Sequence, residues 1–255
     1  MRTLLCGESW VTYSTHVKGV DSFTTSCYVE GAGRLRDALH GAGIDVDYLP
    51  GHLVPGAFPG SADELAAYDA IVLSDIGANS LLLSPDTFER SAVAPNRLAA
   101  VERYVHGGGG LLMIGGYLSF AGIDGKARYH GTPVEQALPV QISVHDDRNE
   151  APQGAQPQVS MADHPVLAGM PEGWPLVLGY NQLTAKPRAE VVVRVAADPL
   201  LVLGHYGAGR SAAFASDCAP HWCPPAFMDW PGYDRLWSNL LLWLSGSAER
   251  GATSG

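Results

Sequence analysis

Apolar positions in the first half of the chain follow two alternating rhythms. Arg2 to Cys6 is a short apolar run of strand length, and Leu35, Ala38, Leu39 and Ala42 then recur at the spacing of a buried helical stripe. Gly41 and Gly43 end that helix, because a chain leaving a helix there tolerates positive φ. Asp45 to Tyr48 predicts a second strand and Asp69 to Leu73 a third. Leu98, Val101 and Val105 mark another helix, and Leu111 to Ile114 a fourth strand. The glycines of VHGGGG (Val105 to Gly110) precede that strand, so they read as a helix stop and not as a phosphate cradle. Strands that are apolar throughout, without alternation, are covered on both faces, which predicts a parallel, doubly wound α/β sheet with helices on both faces.

The second half has a different texture. A Pro- and Gln-rich stretch, Ala151 to Gln158, reads as a connecting segment. AEVVVRVA, PLLVLGHYG and GRSAAFASD then predict three closely spaced strands. The YGAG turn makes a hairpin of Leu200–His205 and Ser211–Ser216, so the mostly parallel sheet should carry antiparallel strands in its C-terminal half. Leu236, Leu240, Trp243 and Leu244, with Trp237 and Leu241 beside them, give the helix Tyr233–Leu244 a wide apolar face that must lie against the sheet. Residues 1–246 are expected to form one domain and 247–255 a disordered tail.

Composition narrows the class. With 255 residues, 46% hydrophobic and 16% charged, the chain has enough apolar material for a core and too little charge for disorder. Sixteen Lys and Arg against 26 Asp and Glu, with no basic run, exclude a phosphate-backbone footprint, so nucleic acid is not an expected partner. The opening segment has only a short apolar run before Gly7, which predicts neither a signal-peptide core nor a membrane span. Cys6, Cys27, Cys218 and Cys223 are scattered through a chain too large to need staples, and they read as free thiols of a cytoplasmic protein.

In an open parallel sheet a ligand sits beyond the carboxyl ends of the strands, where the winding reverses. Polar segments crowd those ends: GESWVTYSTHVKGVDSF, SDIGANS, GGYLSFAGIDGKARYHG and SDCAPHWCP. The first and third exceed the usual 2–6 residues of a strand-to-helix loop and are expected to be long binding loops. LLMIGGYLSF has the form of a nucleophile elbow, a tight strand-to-helix turn, with Tyr117 at its top.

At these residues the sequence resembles the class I glutamine amidotransferase-like superfamily, and more closely its branch of uncharacterised bacterial glutamine amidotransferase-like proteins. The motifs that carry the resemblance are GESW at Gly7–Trp10, SDIGAN at Ser74–Asn79, GGYLSFAGIDGKARY at Gly115–Tyr129, LGYN at Leu178–Asn181 and SDCAPHW at Ser216–Trp222. The resemblance implies a flavodoxin-like fold. It implies glutaminase chemistry only where the elbow reads Gly-x-Cys-x-Gly and a late His-x-Glu follows. Here Tyr117 stands in place of the Cys, and His221 is followed by Trp222 and Cys223. A phenol of pKa about 10 is only on the order of 0.1% ionised at neutral pH, so Tyr117 is no substitute nucleophile.

What remains is a site for a small polar metabolite, a sugar or a carboxylate. His221 is the candidate base, Tyr117 orients the ligand and Asp217 is a supporting carboxylate. Glu8 and Asp75 follow strands as Asp217 does. The three could shift one another's pKa or hold a hard ion, or merely cap the next element. Ser119 reads either as a nucleophile for which His221 is the base or as a cap of the following helix. Arg128 and Tyr129, in the only dense basic-aromatic cluster, could bind an anion through the guanidinium fork or lie on a surface loop. Trp10 and Trp222 offer stacking faces, and the matched motifs add Asn79, Gly116 and Asn181. Cys218, His221 and Cys223 lack the fourth ligand of a zinc site, so no metal and no cofactor are expected. Two alternatives stand beside this reading: a noncatalytic assembly module with a degenerate site, and a genuine glutamine amidotransferase. A homo-oligomer is expected in each case.

Overall fold

Strand β1 (Arg2–Gly7) opens the fold, and its inner residues are fully buried. Residues 1–246 are described by a computed structural model; the expected disorder of 247–255 falls outside the described residues. The hairpin β2 (Ser9–Lys18) and β3 (Asp21–Glu30) follows, then β4 (Asp45–Leu49), β5 (Ala70–Ser74) and β6 (Gly110–Ile114). The second half contributes β7 (Val140–Gln141), β8 (Arg148–Ala155), β9 (Pro157–Val159), β10 (Val177–Asn181), β11 (Thr184–Ala185), β12 (Glu190–Val195), β13 (Asp198–Tyr206) and β14 (Gly209–Phe214).

Eight strands form one sheet in the order β4-β1-β5-β6-β14-β13-β12-β9. The first five run parallel, whereas β13 and β12 join antiparallel, as the closely spaced C-terminal strands predict, and β9 adds an antiparallel edge that the sequence pattern does not predict. This is a flavodoxin-like, mixed α/β sheet. Strands β5, β6 and β14 are buried along their whole length, so the sheet is covered on both faces there. The helix Gly33–Gly41 packs with the terminal helix Tyr233–Leu244, while Arg97–His106 packs with Ala62–Leu65 and Pro133–Ala137. Leu35, Ala38 and Leu39 of the first helix are buried as the periodicity requires, but Ala42 is exposed and the positive φ falls on Gly43 alone. Asn96 caps Arg97–His106 by accepting a hydrogen bond from the Ala99 N–H at 3.1 Å, and Gly107 ends that helix, so the glycine run is a stop signal.

Two expectations are corrected. The segment after β1 is not a loop but the β2–β3 hairpin, closed by a two-residue turn whose first position, Gly19, has φ +65°. The Pro- and Gln-rich segment is not a connector. It belongs to β8, which pairs with β10 in a separate two-stranded sheet, and to β9 at the edge of the main sheet. Alternation with an apolar buried face, the signal by which strands are found, is weak in both.

Candidate functional site at the carboxyl edge

Register brings the site together. Gly7 lies opposite Ser74, Ser74 opposite Ile114 and Ile114 opposite Phe214, so four parallel strands end level. The chain runs from β1 out to β4 and then crosses back to β5, so the winding reverses between β1 and β5. Glu8 and Asp75 are the first residues past those two strands. Gly116 and Tyr117 follow β6, and Asp217 to His221 follow β14.

A cavity of about 260 Å³ opens here, lined by Glu8, Trp10, Asp75, Tyr117, Asp217, Pro220 and His221. Three of the eight non-glycine residues with positive φ among the described residues line it: Glu8 at +49°, Asp75 at +43° and His221 at +140°. Such backbone conformations cost roughly 1–3 kcal/mol each and concentrate at functional sites, where the surrounding structure holds them. Gly116, at φ +148°, lies so close to Asp75 that a Cβ on it would stand 2.7 Å from Asp75 Oδ1. That carboxylate in turn accepts the Leu118 N–H at 2.6 Å.

The carboxyl groups have little to neutralise them. Glu8 is buried and accepts a hydrogen bond from Ser74 Oγ at 2.5 Å. Burial, and then the charge of Asp75, push its carboxyl up to about 7. Asp217, also buried, is held well above the ordinary carboxylate range by burial and by the charges of Glu8 and Asp75. Burial raises Asp75 too, against the hydrogen bond from Leu118 and the nearby His221. Three carboxyls so placed cannot all ionise together, so the cluster retains protons at neutral pH. Oxygens of Glu8 and Asp217 lie with Cys218 Sγ inside a 4.8 Å group. This trio would need a further ligand to complete a divalent site, and burial raises the Cys218 thiol.

Tyr117 forms one wall. Its hydroxyl donates to Glu150 Oε1 at 2.8 Å, Arg148 lies over its ring at 4.7 Å, and His221 meets the ring edge-on at 4.5 Å. Trp222 is fully buried behind this wall, stacked on His221, and its indole N–H donates to Glu150 Oε2 at 3.0 Å. The turn differs from the expected strand-to-helix elbow. No helix follows it directly, only a short 3-10 turn at Ile123–Gly125, and the positive φ belongs to Gly116 and Phe120, not to Tyr117.

Of the predicted residues, Glu8, Trp10, Asp75, Tyr117, Asp217 and His221 line the cavity, with Gly116 and Trp222 directly behind it. Asn181 is a buried bracket. It accepts the Gly116 N–H at 3.1 Å and donates to Asp147 Oδ1 at 2.8 Å. Ser119 neither faces the cavity nor caps a helix: it donates to Ile114 O and accepts the Asp75 N–H at 3.1 Å, fixing the loop that carries Asp75. Tyr129 is buried in the core and donates to Ile76 O at 2.8 Å. Arg128 is exposed and does not line the cavity, and Asn79 lines a different hollow with Pro55, Leu83 and Phe88. Sequence reasoning missed Asp147, Arg148 and Glu150. Asp147 is buried and accepts the N–H groups of Ala121 and Gly122 at 3.0 and 2.9 Å, which fixes the loop beyond Tyr117.

A parallel sheet of flavodoxin order, with a lined cavity where its winding reverses, defines the class as a doubly wound α/β protein with a carboxyl-edge site. The family model described as "Putative glutamine amidotransferase" matches residues 2–246, and the chain belongs to that family. It is similar to the solved structure of "Cytoplasmic Protein STM3548" from Salmonella typhimurium, with 48% identity, a TM-score of 0.93, and 96% of this chain and 99% of that one covered. It is similar in the same degree to "Cytoplasmic Protein STM1381" from Salmonella typhimurium LT2, with 47% identity, a TM-score of 0.92 and the same coverage. A ThuA-like protein from Parabacteroides merdae shares the fold alone, at 12% identity and a TM-score of 0.58 over 96% of this chain and 90% of that one. No curated protein matches the chain. Among the described residues no helix is long and apolar enough to cross a membrane.

Proposed function

We propose that the cavity binds a small, neutral, polyhydroxylated metabolite of the sugar or polyol type, with His221 as base and the Glu8–Asp217 pair as proton reservoir in any hydrolytic step. The observation that carries this reading is the meeting of three carboxyl groups with His221 in one cavity walled by Trp10 and Tyr117. Carboxyl groups that share protons both accept from and donate to hydroxyls, and the aromatic walls suit the apolar face of a sugar ring. An anionic ligand would meet like charge there, which argues against the carboxylate half of the expectation. Cysteine-dependent glutamine hydrolysis is not part of the proposal. In the family resemblance Tyr117 stands where the Cys is expected, and burial raises the thiols of Cys6, Cys218 and Cys223 away from the reactive thiolate. A cytoplasmic location agrees with the names of the Salmonella proteins.

Thermal-shift measurements with sugars, polyols and dicarboxylates test this. A hydroxylated ligand should raise the melting temperature of the native chain, and Asp217→Asn should abolish that shift. Stabilisation by dicarboxylates alone would overturn the proposal, as would release of ammonia from glutamine by the purified protein.

A further inference from the structure

The β2–β3 hairpin forms a two-stranded sheet of its own. Its two ten-residue strands pair with each other in an unbroken register from Ser9–Glu30 to Lys18–Asp21, and among the described residues neither strand joins another sheet. At roughly 3.4 Å per residue the arm reaches about 30 Å. Apart from Ser9 and Val29 near its root, every residue of both strands is exposed. The root is fastened by Ser9 Oγ, which accepts the Gly51 N–H at 2.7 Å, and by Tyr28 edge-on to His52 at 5.1 Å. Along the arm, Val11, Tyr13, Val17 and Tyr28 lie on one face, and Trp10, His16 and Phe23 on the other.

A solitary two-stranded hairpin is marginal in water, and an edge strand is ordinarily blunted by proline, a bulge or charge. This arm has no proline and no break in register, and it exposes large side chains on both faces. Its charge is equally distinctive. The whole chain carries −10, yet Ser9 to Val29 contains one Lys and one Asp, which stand opposite each other at the tip. Two copies of so acidic a chain repel unless they meet through a neutral surface, and this arm is one. Its two strands also match the roughly 20–30 residues a side that a stable interface uses.

We infer that the arm docks onto a second copy of this chain, pairing its open strand edges and covering its apolar faces in a closed homo-oligomer. Because Trp10 belongs both to the arm and to the cavity wall, the contact braces one side of the site.

Sedimentation velocity on the full chain at micromolar concentration, with no ligand, tests the inference. The unmodified chain should have a multiple of the 27.0 kDa chain mass, and Tyr13→Lys combined with Phe23→Lys should return it to 27.0 kDa with its near-ultraviolet circular dichroism retained. Val93→Lys, at a fully exposed apolar position outside the arm, should leave the mass unchanged. Hydrogen exchange on the unmodified chain reads the same contact without any substitution, because arm amides should become protected as concentration rises. An unmodified chain of 27.0 kDa would overturn the inference. So would an oligomer indifferent to the arm substitutions, or arm amides that exchange fast at every concentration, the last two pointing to a different occupant or a different interface.

Discussion

Glu8, Asp75 and His221 adopt backbone conformations that favour glycine, and all three face one cavity. Their strain is held by neighbours with little slack, Gly116 among them. Gly116→Ala would force a Cβ against Asp75 at an unfavourable φ, and should destabilise the fold by about 1–3 kcal/mol in urea titration. Tyr117→Phe removes the hydrogen bond to Glu150 and should cost about 0.5–1.5 kcal/mol, while weakening any ligand that leans on this wall. The titratable residues of the cavity were legible in the sequence for one reason: each follows a strand, and parallel strands end at a common edge. Asn79, Arg128 and Tyr129 also follow strands, but sequence does not encode the direction in which a loop turns its side chains. Glu150 and Arg148 were illegible because they reach Tyr117 from β8, a strand with no apolar alternation to announce it.

At the scale of elements, burial separates what could be read from what could not. The inner parallel strands β5, β6 and β14 and the terminal helix are apolar because both faces or a wide face are covered, and their patterns are plain. Leu240 is fully buried on that helix, so Leu240→Ala should lower stability by about 2–5 kcal/mol in thermal or chemical unfolding. The sequence pattern predicts a loop at the arm because neither of its faces is buried within the chain. Its β-branched and aromatic runs around Lys18-Gly19-Val20-Asp21 nevertheless carry the local hairpin signal.

Over the whole molecule, the carboxyl cluster ties stability to pH. The folded state holds a proton on Glu8 up to about 7, whereas an unfolded Glu releases it near 4.5. Between those values the native state binds more protons than the unfolded one, so the Glu8 contribution is complete below about 4.5 and is lost as pH rises to about 7. Asp217, raised well above its ordinary value, adds to the decline in the same direction. Melting temperatures of Glu8→Gln and the unmodified chain, compared across this window, should diverge in favour of the variant as pH rises. Parallel curves would show that Glu8 does not hold the proton. Near neutrality Glu8 is within its titration range, so an occupant of the cavity that prefers one form of the carboxyl must make the molecule take up or shed a fraction of a hydrogen ion. Calorimetric heats of association measured in two buffers of unequal ionisation enthalpy would then disagree, and the gap between them would count that fraction.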